Sequence, residues 1–529
     1  MPPLPSTPGY STLCDEFPLL SFCFQPKADS DTINEDESID LVLRYPLRRA
    51  EFGETLEELR LLGRHPVALS SIRSVFVHKD VFARVSMDQQ QALYATLGES
   101  LGAKLTEFSL SLLKMSIPAL AQLLQKMPNL EKLHLGRVSL VQRDQAVQLY
   151  AALQKKLPNL REFHWSLMPA PDNEAPLFQP SDDDNNNNNN PCMDPLLISL
   201  AQIPTLECVY LAAHRPRGGR IQTAAALKAL AQSHVTDLTL VNIPLTPAHV
   251  HALMMTSTNH SFTSLALLHA EIGDVGAQII VQSGLFKNLK KLYLPACHLT
   301  DVSGIALAGA LRNSNTSLQV LDVHDNHLTA AFCQSLTLQS LQFLDVSYNP
   351  LRDAGGMALA AALEHNTKLS TLYMFQNQIT DQTCAALATA LYSNRHLKQV
   401  NLYNNPKVST QGVQSLLHHL EDTNYVLERL EVSPLESRET EEALDFLLTL
   451  NRNYGRKQVL SLEKEQEYLE QGLVKAMAQD DLNSLFYFLK RKPTLCQQQK
   501  QPPSRRKPCS NQAIATIALE ACAIAGEGM

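Results

Sequence analysis

Three stretches, Leu318-Gln-Val-Leu-Asp-Val-His-Asp-Asn-His-Leu328, Leu341-Gln-Phe-Leu-Asp-Val-Ser-Tyr-Asn-Pro-Leu351 and Leu369-Ser-Thr-Leu-Tyr-Met-Phe-Gln-Asn-Gln-Ile379, share one frame. Each reads L-x-x-L-x-L-x-x-N-x-L, with Met or Val allowed at the third apolar place and Ile at the last. In L-x-L the apolar residues lie one position apart, so on an extended strand both face the same side. A lone strand of this kind has nothing to bury that side against and needs like neighbours stacked beside it. The Asn that follows can satisfy backbone groups stranded by the bend, which otherwise cost about 1–3 kcal/mol each.

Weaker copies extend the frame in both directions. Toward the C-terminus come Leu397, Val400, Leu402 and Asn405, then Leu427, Leu430 and Val432. Toward the N-terminus, Leu289, Leu292 and Leu294 lead to Cys297, a small thiol in the place of the buried Asn. Earlier copies centre on Leu265, Leu238, Val209, Phe163, Leu133, Phe108 and Val75. The count is roughly thirteen strands at a spacing of about 28 residues.

The segment after each strand has helical composition, as in Asp353-Ala-Gly-Gly-Met-Ala-Leu-Ala-Ala-Ala-Leu-Glu-His-Asn366 and its sisters from Asp301 and Asp381. The leading Asp is expected to serve as N-cap or first-turn carboxylate, and Asn366 or Asn394 to end the helix. Strand plus full helix at this period resembles the ribonuclease-inhibitor-like leucine-rich repeat family, over about residues 72 to 435. The resemblance implies an α/β fold, a leucine-rich repeat solenoid (horseshoe) with an inner parallel β-sheet and outer α-helices.

Around the repeats, residues 1–40 combine prolines with the acidic run Asp29 to Asp40 and are expected to form a disordered tail. Residues 41–71, with Leu56, Leu59 and Leu62 at helical spacing, are expected to cap the first strand. Within the repeat domain, 72–435, the segment 169–195 with its Asn185 to Asn190 tract reads as a disordered insert. A C-terminal cap helix is expected over 436–458, and a helical extension with a basic linker over 459–529. In that extension Leu473 to Pro493 resembles one degenerate ankyrin helix pair.

The composition excludes several classes. A formal net charge of −8 lacks the basicity of a general nucleic-acid binder, so nucleic acid is not an expected partner. Ten cysteines occur without a C-x-x-C pair, and Cys297, Cys333 and Cys384 sit at apolar repeat positions, which suits reduced thiols packed in a core. The start lacks a basic n-region and no apolar run reaches membrane-span length, so a cytoplasmic monomer is expected. Lys490-Arg491-Lys492 and Arg505-Arg506-Lys507 offer a basic tail or a nuclear localisation signal.

None of the phosphate-binding, dinucleotide-binding, zincin or nucleophile-elbow motifs is present, so no catalytic residue and no cofactor are assigned. The cluster Asp322-Val-His324-Asp325-Asn326-His327 holds metal-ligand residue types, with Asp322 and His324 on one strand face, but Asn326 is the structural residue of the repeat and no metal is assigned. Function is expected on the inner curve, where positions between and just after the paired apolar residues point: Tyr293, Asp322, His324, Asp325, Asp345, Tyr348, Tyr373, Phe375, Gln376, Tyr403 and Asn404. Strands about 4.8 Å apart would merge these aromatics and aspartates into one patch of protein-binding character. The N-terminal strands, with Ala212, Ala213, Ala266 and Leu268, offer poorer material.

The expected function is therefore a non-catalytic scaffold that binds a partner protein. Two alternatives share the family resemblance. A Ran-type small-GTPase activator would be expected to carry an acidic tail, whereas this tail is basic. The other is a detached sensor half of a nucleotide-binding leucine-rich repeat immune-type receptor, since about 70 residues precede the repeats.

Overall fold

A computed structural model describes residues 52–78, 86–113, 117–138, 157–167, 193–213, 221–254, 262–312, 317–422 and 426–454, with short pieces at 23–26 and 39–43 and isolated residues elsewhere. The expected insert, apart from 193–195, and the C-terminal extension, apart from isolated residues, lie outside the described residues. So does the basic tail.

One sheet runs through the molecule. Its strands are β1 (Phe24–Pro26), β2 (Ile39–Leu43), β3 (Ile72–Val77), β4 (Glu107–Leu113), β5 (Lys132–Val138), β6 (Glu162–Leu167), β7 (Cys208–Ala213), β8 (Asp237–Val241), β9 (Ser264–Leu268), β10 (Lys291–Tyr293), β11 (Val320–Asp322), β12 (Phe343–Asp345), β13 (Thr371–Tyr373), β14 (Gln399–Asn401) and β15 (Arg429–Glu431). Spatial order equals chain order, and every pairing from β2 onward is parallel. Each parallel step needs a crossover, and the helices supply it on one side of the sheet.

The repeat frame survives in three dimensions. Leu292, Leu321, Leu344, Leu372, Val400 and Leu430 lie directly opposite one another on successive strands, and all are buried. The same ladder continues back through Leu265, Leu238, Val209, Phe163, Leu133, Phe108 and Val75. All thirteen expected strands are therefore β3 to β15, in one register.

Two corrections fall at the N-terminal end. Residues 24–26 and 39–40, expected in a disordered tail, form β1 and, with 41–43 from the expected cap, β2, because Ile39, Leu41 and Leu43 alternate inward and bury on the same core. The helix Phe52–Leu62 is not a lid over β3. It packs beside the helix Met87–Ser100, burying Leu56, Leu59 and Leu62, and so occupies the helical layer of an additional repeat. The first edge is closed instead by β1, which runs antiparallel to β2.

The turn asparagines stitch repeats together. Asn349 Nδ2 donates to the carbonyls of Val323, Val346 and Ser347 at 3.0–3.1 Å, and its Oδ1 accepts from Leu328 N at 2.9 Å. Cys297 substitutes as expected: its thiol donates to the Leu267 carbonyl, as Asn326 Nδ2 donates to the Leu294 carbonyl one repeat later. Where such a turn follows, β10 to β14 end after three residues, as does the last strand, β15, without one. Further toward the N-terminus, where the asparagine is missing, β3 to β9 run for five to seven.

The helix aspartates stand in the first turn of their helices as expected, and they also reach the next repeat. Asp274, Asp301, Asp353 and Asp381 accept hydrogen bonds from Thr300, Thr329, Thr380 and Ser409, each at the start of the following helix. The carboxylate thus caps its neighbour's N-terminus, where unpaired N–H groups and the positive end of the helix dipole lie. Asn394 closes its helix as expected, accepting from His396 N and Leu397 N. At the far end the helix Arg438–Tyr454 buries Leu444, Leu447, Leu448 and Leu450, and Asn451 Nδ2 donates to the Leu427 carbonyl.

Candidate functional site

On the sheet face opposite the helices, residues flanking the buried ladder line up in rows. One row is Tyr293, Asp322, Asp345, Tyr373 and Asn401, directly opposite one another from β10 to β14. Much of its polarity is spent locally. Asp322 Oδ1 accepts from His324 N at 3.0 Å, Asp345 Oδ1 from Ser347 N at 2.8 Å and Asn401 Oδ1 from Tyr403 N at 2.9 Å. These side chains brace the turn that follows each strand.

Those turns present the next residues. Asp325, Tyr348, Gln376 and Asn404 occupy the same place in four successive repeats, each with φ between 52° and 57°. A left-handed backbone at a non-glycine residue carries strain, and here it repeats at every turn of the patch. Gln376 and Asn404 are linked through Asn404 Nδ2 and Gln376 Oε1 at 2.7 Å. Tyr348 packs on Phe375 with ring centroids 4.8 Å apart, and Phe375 stacks on Tyr403 at 5.6 Å and 15°. Tyr348 and Tyr403 both remain 44% exposed. Alongside runs a groove of about 650 Å³ lined by Asp325, His327, Tyr348, Gln376, Asn404 and Lys407 among others.

The eleven residues expected at the site divide into groups. Tyr348, Phe375, Gln376, Tyr403 and Asn404 come together as an aromatic and amide cluster, with Asp325 on the groove wall. Asp322, His324 and Asp345 form a separate cluster, in which His324 Nδ1 lies 2.7 Å from Asp322 Oδ1. That hydrogen bond, with the nearby charges of Asp345 and Asp325, raises the His324 pKa above its ordinary value. Burial raises that of Asp345, and the Asp322 charge adds to it. Tyr373 meets Phe343 edge-on at 5.3 Å, and Tyr293 lies three strands away from it.

Sequence reasoning missed Phe343, which precedes the buried Leu344 and so faces outward by simple alternation. It also missed the N-terminal half. Ala212, Ala213 and Ala266 are buried there. The outward places between the paired apolar residues belong to His134, His164 and Tyr210, with His134 stacked on His164 at 4.2 Å and His164 5.3 Å from Tyr210. The signal was the middle residue of Leu-His-Leu, Phe-His-Trp and Val-Tyr-Leu.

A family model described as Leucine Rich repeat matches residues 337–360 and 365–388. Over 170 residues the chain is 34% identical to the ribonuclease inhibitor of Sus scrofa, covering 31% of this chain and 37% of that protein. The chain thus carries leucine-rich repeats similar to those of the ribonuclease inhibitor. These leucine-rich repeats are also 28% identical over 255 residues to the Homo sapiens NACHT, LRR and PYD domains-containing protein 5, covering 41% of this chain and 21% of that one. The matched segments thus span well under two thirds of either relative. Among solved structures, the yeast complex of Rad7 and Elc1 aligns with 75% of this chain and 90% of that chain, at 17% identity and a TM-score of 0.40. Among the described residues no helix is long and apolar enough to cross a membrane.

Proposed function

We propose that the chain is a non-catalytic interaction scaffold that binds a partner protein on the open face of β11 to β14, with Tyr348, Phe375 and Tyr403 as anchors. The observation that carries this reading is the ring ladder itself. Three aromatic side chains pack on one another at 4.8 and 5.6 Å and still leave Tyr348 and Tyr403 44% exposed. Mutual stacking holds the rings in place before binding, which lowers the side-chain entropy lost in a complex. Aromatic anchors within a polar rim are the composition of binding hot spots.

Gln376 and Asn404 supply the rim. Asp322, Asp325 and Asp345, with Tyr293 and Tyr373 on the adjoining strands, favour a partner segment that carries Lys or Arg. Acting as a rigid sheet in the cytoplasm, the scaffold needs no cofactor for this role. The deciding experiment is affinity capture with wild-type protein and with the Tyr348→Ala, Tyr373→Ala, Phe375→Ala, Tyr403→Ala quadruple variant. Loss of specific partners with an unchanged circular dichroism spectrum supports the patch. A folded variant that keeps every partner refutes it.

A second reading, a sensing segment of a nucleotide-binding leucine-rich repeat receptor, is favoured by the 28% identity to a NACHT, LRR and PYD domains-containing protein. Capture of a nucleotide-binding module by the intact chain is its distinguishing outcome.

A further inference from the structure

A second set of side chains meets on the same sheet face, far along the chain from the aromatic ladder. Two rows cross β4 to β8. One is Glu107, Lys132, Glu162, Cys208 and Asp237, and the other Ser109, His134, His164, Tyr210 and Thr239, each directly opposite its neighbours. Where the rows adjoin, one ligand-capable atom from each of His134, Glu162 and His164 lies within 4.8 Å of the other two. Cys208 Sγ sits 3.8 Å from His164 Nε2.

We propose that the open face of β5 to β7 holds a borderline-soft divalent cation, Zn²⁺ being the best match, through the imidazoles of His134 and His164 and the thiolate of Cys208, with Glu162 as the fourth ligand. Two nitrogens, one sulfur and one carboxylate oxygen form a donor set that suits Zn²⁺ in tetrahedral coordination. The four residues stand on three paired strands, so hydrogen-bonded register fixes their backbone. Bonds of about 2.0–2.3 Å bring tetrahedral ligand atoms to about 3.3–3.8 Å from one another. The His134, Glu162 and His164 atoms, within 4.8 Å of one another, need a contraction of about an ångström, within reach of imidazole rotation and a swing of the Glu162 carboxylate, while Cys208, outside that group, reaches the ion from the side of His164 by rotation about its Cα–Cβ bond.

The imidazoles are ready to ligate. Burial holds both in the neutral form, His164 down to about 4 with His134 adding to the effect, so each keeps a nitrogen lone pair near neutral pH. His134 Nε2 is buried with no hydrogen-bond partner among the described residues. A buried imidazole nitrogen left unmatched is costly, and a metal bond would satisfy it. Cys208 is a free thiol, pushed up to about 12 by burial and by Asp237 and Glu162. On binding it releases its proton to solvent as the sulfur–metal bond forms. Lys132 competes, since its Nζ lies 3.2 Å from Glu162 Oε1, but that side chain is 43% exposed and can move aside. The other comparable cluster, Asp322, His324 and Asp345, is already committed to its own turns through the bonds from His324 and Ser347.

The test uses the full chain, stripped with a chelator and titrated with Co²⁺ and then Zn²⁺ alone. Expected is a single saturable equivalent whose Co²⁺ form shows a thiolate-to-cobalt charge-transfer band. Cys208→Ser should abolish the band, and both it and His164→Asn should weaken Zn²⁺ binding about a thousandfold, beyond the 10- to 100-fold range that outer-shell changes produce. Lys132→Met should tighten binding a few-fold by freeing Glu162. Absence of the band in wild type, or its persistence in Cys208→Ser, overturns the site. Circular dichroism checks each variant. If His164→Asn fails to fold, the wild-type spectrum and Cys208→Ser decide.

Discussion

Asp353 lies in the first turn of one helix and holds the start of the next: its Oδ1 accepts from Thr380 N and its Oδ2 from the Thr380 hydroxyl, both at 2.8 Å. Thr380 in turn accepts from Gln382 N as the N-cap of the helix Asp381–Ser393. The fully buried Thr383 also donates to Asp353 Oδ1 at 2.7 Å. At Asp274, Asp301, Asp353 and Asp381 a repeat therefore holds the start of a helix that is not its own, which couples neighbours as a one-dimensional stack requires.

Replacing Asp353 by Ala is expected to cost about 1–3 kcal/mol, because it orphans the Thr380 N–H and a buried Thr383 hydroxyl. Burial alone would raise the Asp353 pKa, but the hydrogen bonds from Thr383 and Thr380 outweigh it and hold the carboxyl below its ordinary value of 3.8. The stability from these bonds is complete above pH 3.8 and is lost as pH falls through the lower folded pKa. Urea melts of wild type and Asp353→Ala at pH 7 and near pH 3 check both points: the gap between them should narrow in acid.

Leu344→Ala should cost about 2–5 kcal/mol by opening a cavity between repeats at a site with no exposure. Asn349→Ala should cost about 1–3 kcal/mol, because it leaves the Leu328 N–H and buried turn carbonyls without their partner. Chemical denaturation measures both. Midpoints equal to wild type would contradict the register of β11 to β13.

Tyr348 offers a way to separate strain from binding. With φ at 55°, Tyr348→Gly relieves a left-handed conformation that costs an L-residue roughly 1–2 kcal/mol, whereas Tyr348→Ala does not. The glycine variant should melt higher than the alanine variant, yet both should lose the same partner affinity, since both lack the ring that packs on Phe375. Calorimetry and a binding titration on the pair provide the measurement.

Two histidines should titrate on opposite sides of the ordinary value of 6.5. The Asp322 hydrogen bond raises His324, whereas burial lowers His164 to about 4. His324 therefore contributes stability that is complete below 6.5 and is lost as pH rises through its folded pKa. For His164 the unfolded chain binds the proton first, so stability falls as pH drops from 6.5 toward 4. Chelator-treated protein followed by NMR of the imidazole resonances tests both shifts. Asp322→Asn should bring His324 back toward 6.5.

The legible part of the candidate site was its aromatic part. Tyr348, Phe375 and Tyr403 follow a repeat frame whose inward residues are unmistakable, so their outward direction was forced. Asp322 and Asp345 had the same outward address, but the turn two residues on uses their oxygens, and an address in the frame does not reveal a hydrogen-bond partner. β1 and β2 were missed because their strands lack the Leu and Asn spacing, even though Leu41 and Leu43 alternate correctly.

By itself the sequence determined which residues face the core, how many consensus strands stack and where each turn falls, because one apolar period repeated along the chain leaves a single register that buries every leucine. The tertiary structure alone decided which side chains become neighbours across repeats. Cys208 lies 44 residues from His164 and Thr380 lies 27 from Asp353, and these separations acquire meaning only when parallel stacking sets successive repeats one strand apart. Within a repeat, chemistry follows the period; between repeats, it follows hydrogen-bond geometry that no single period contains.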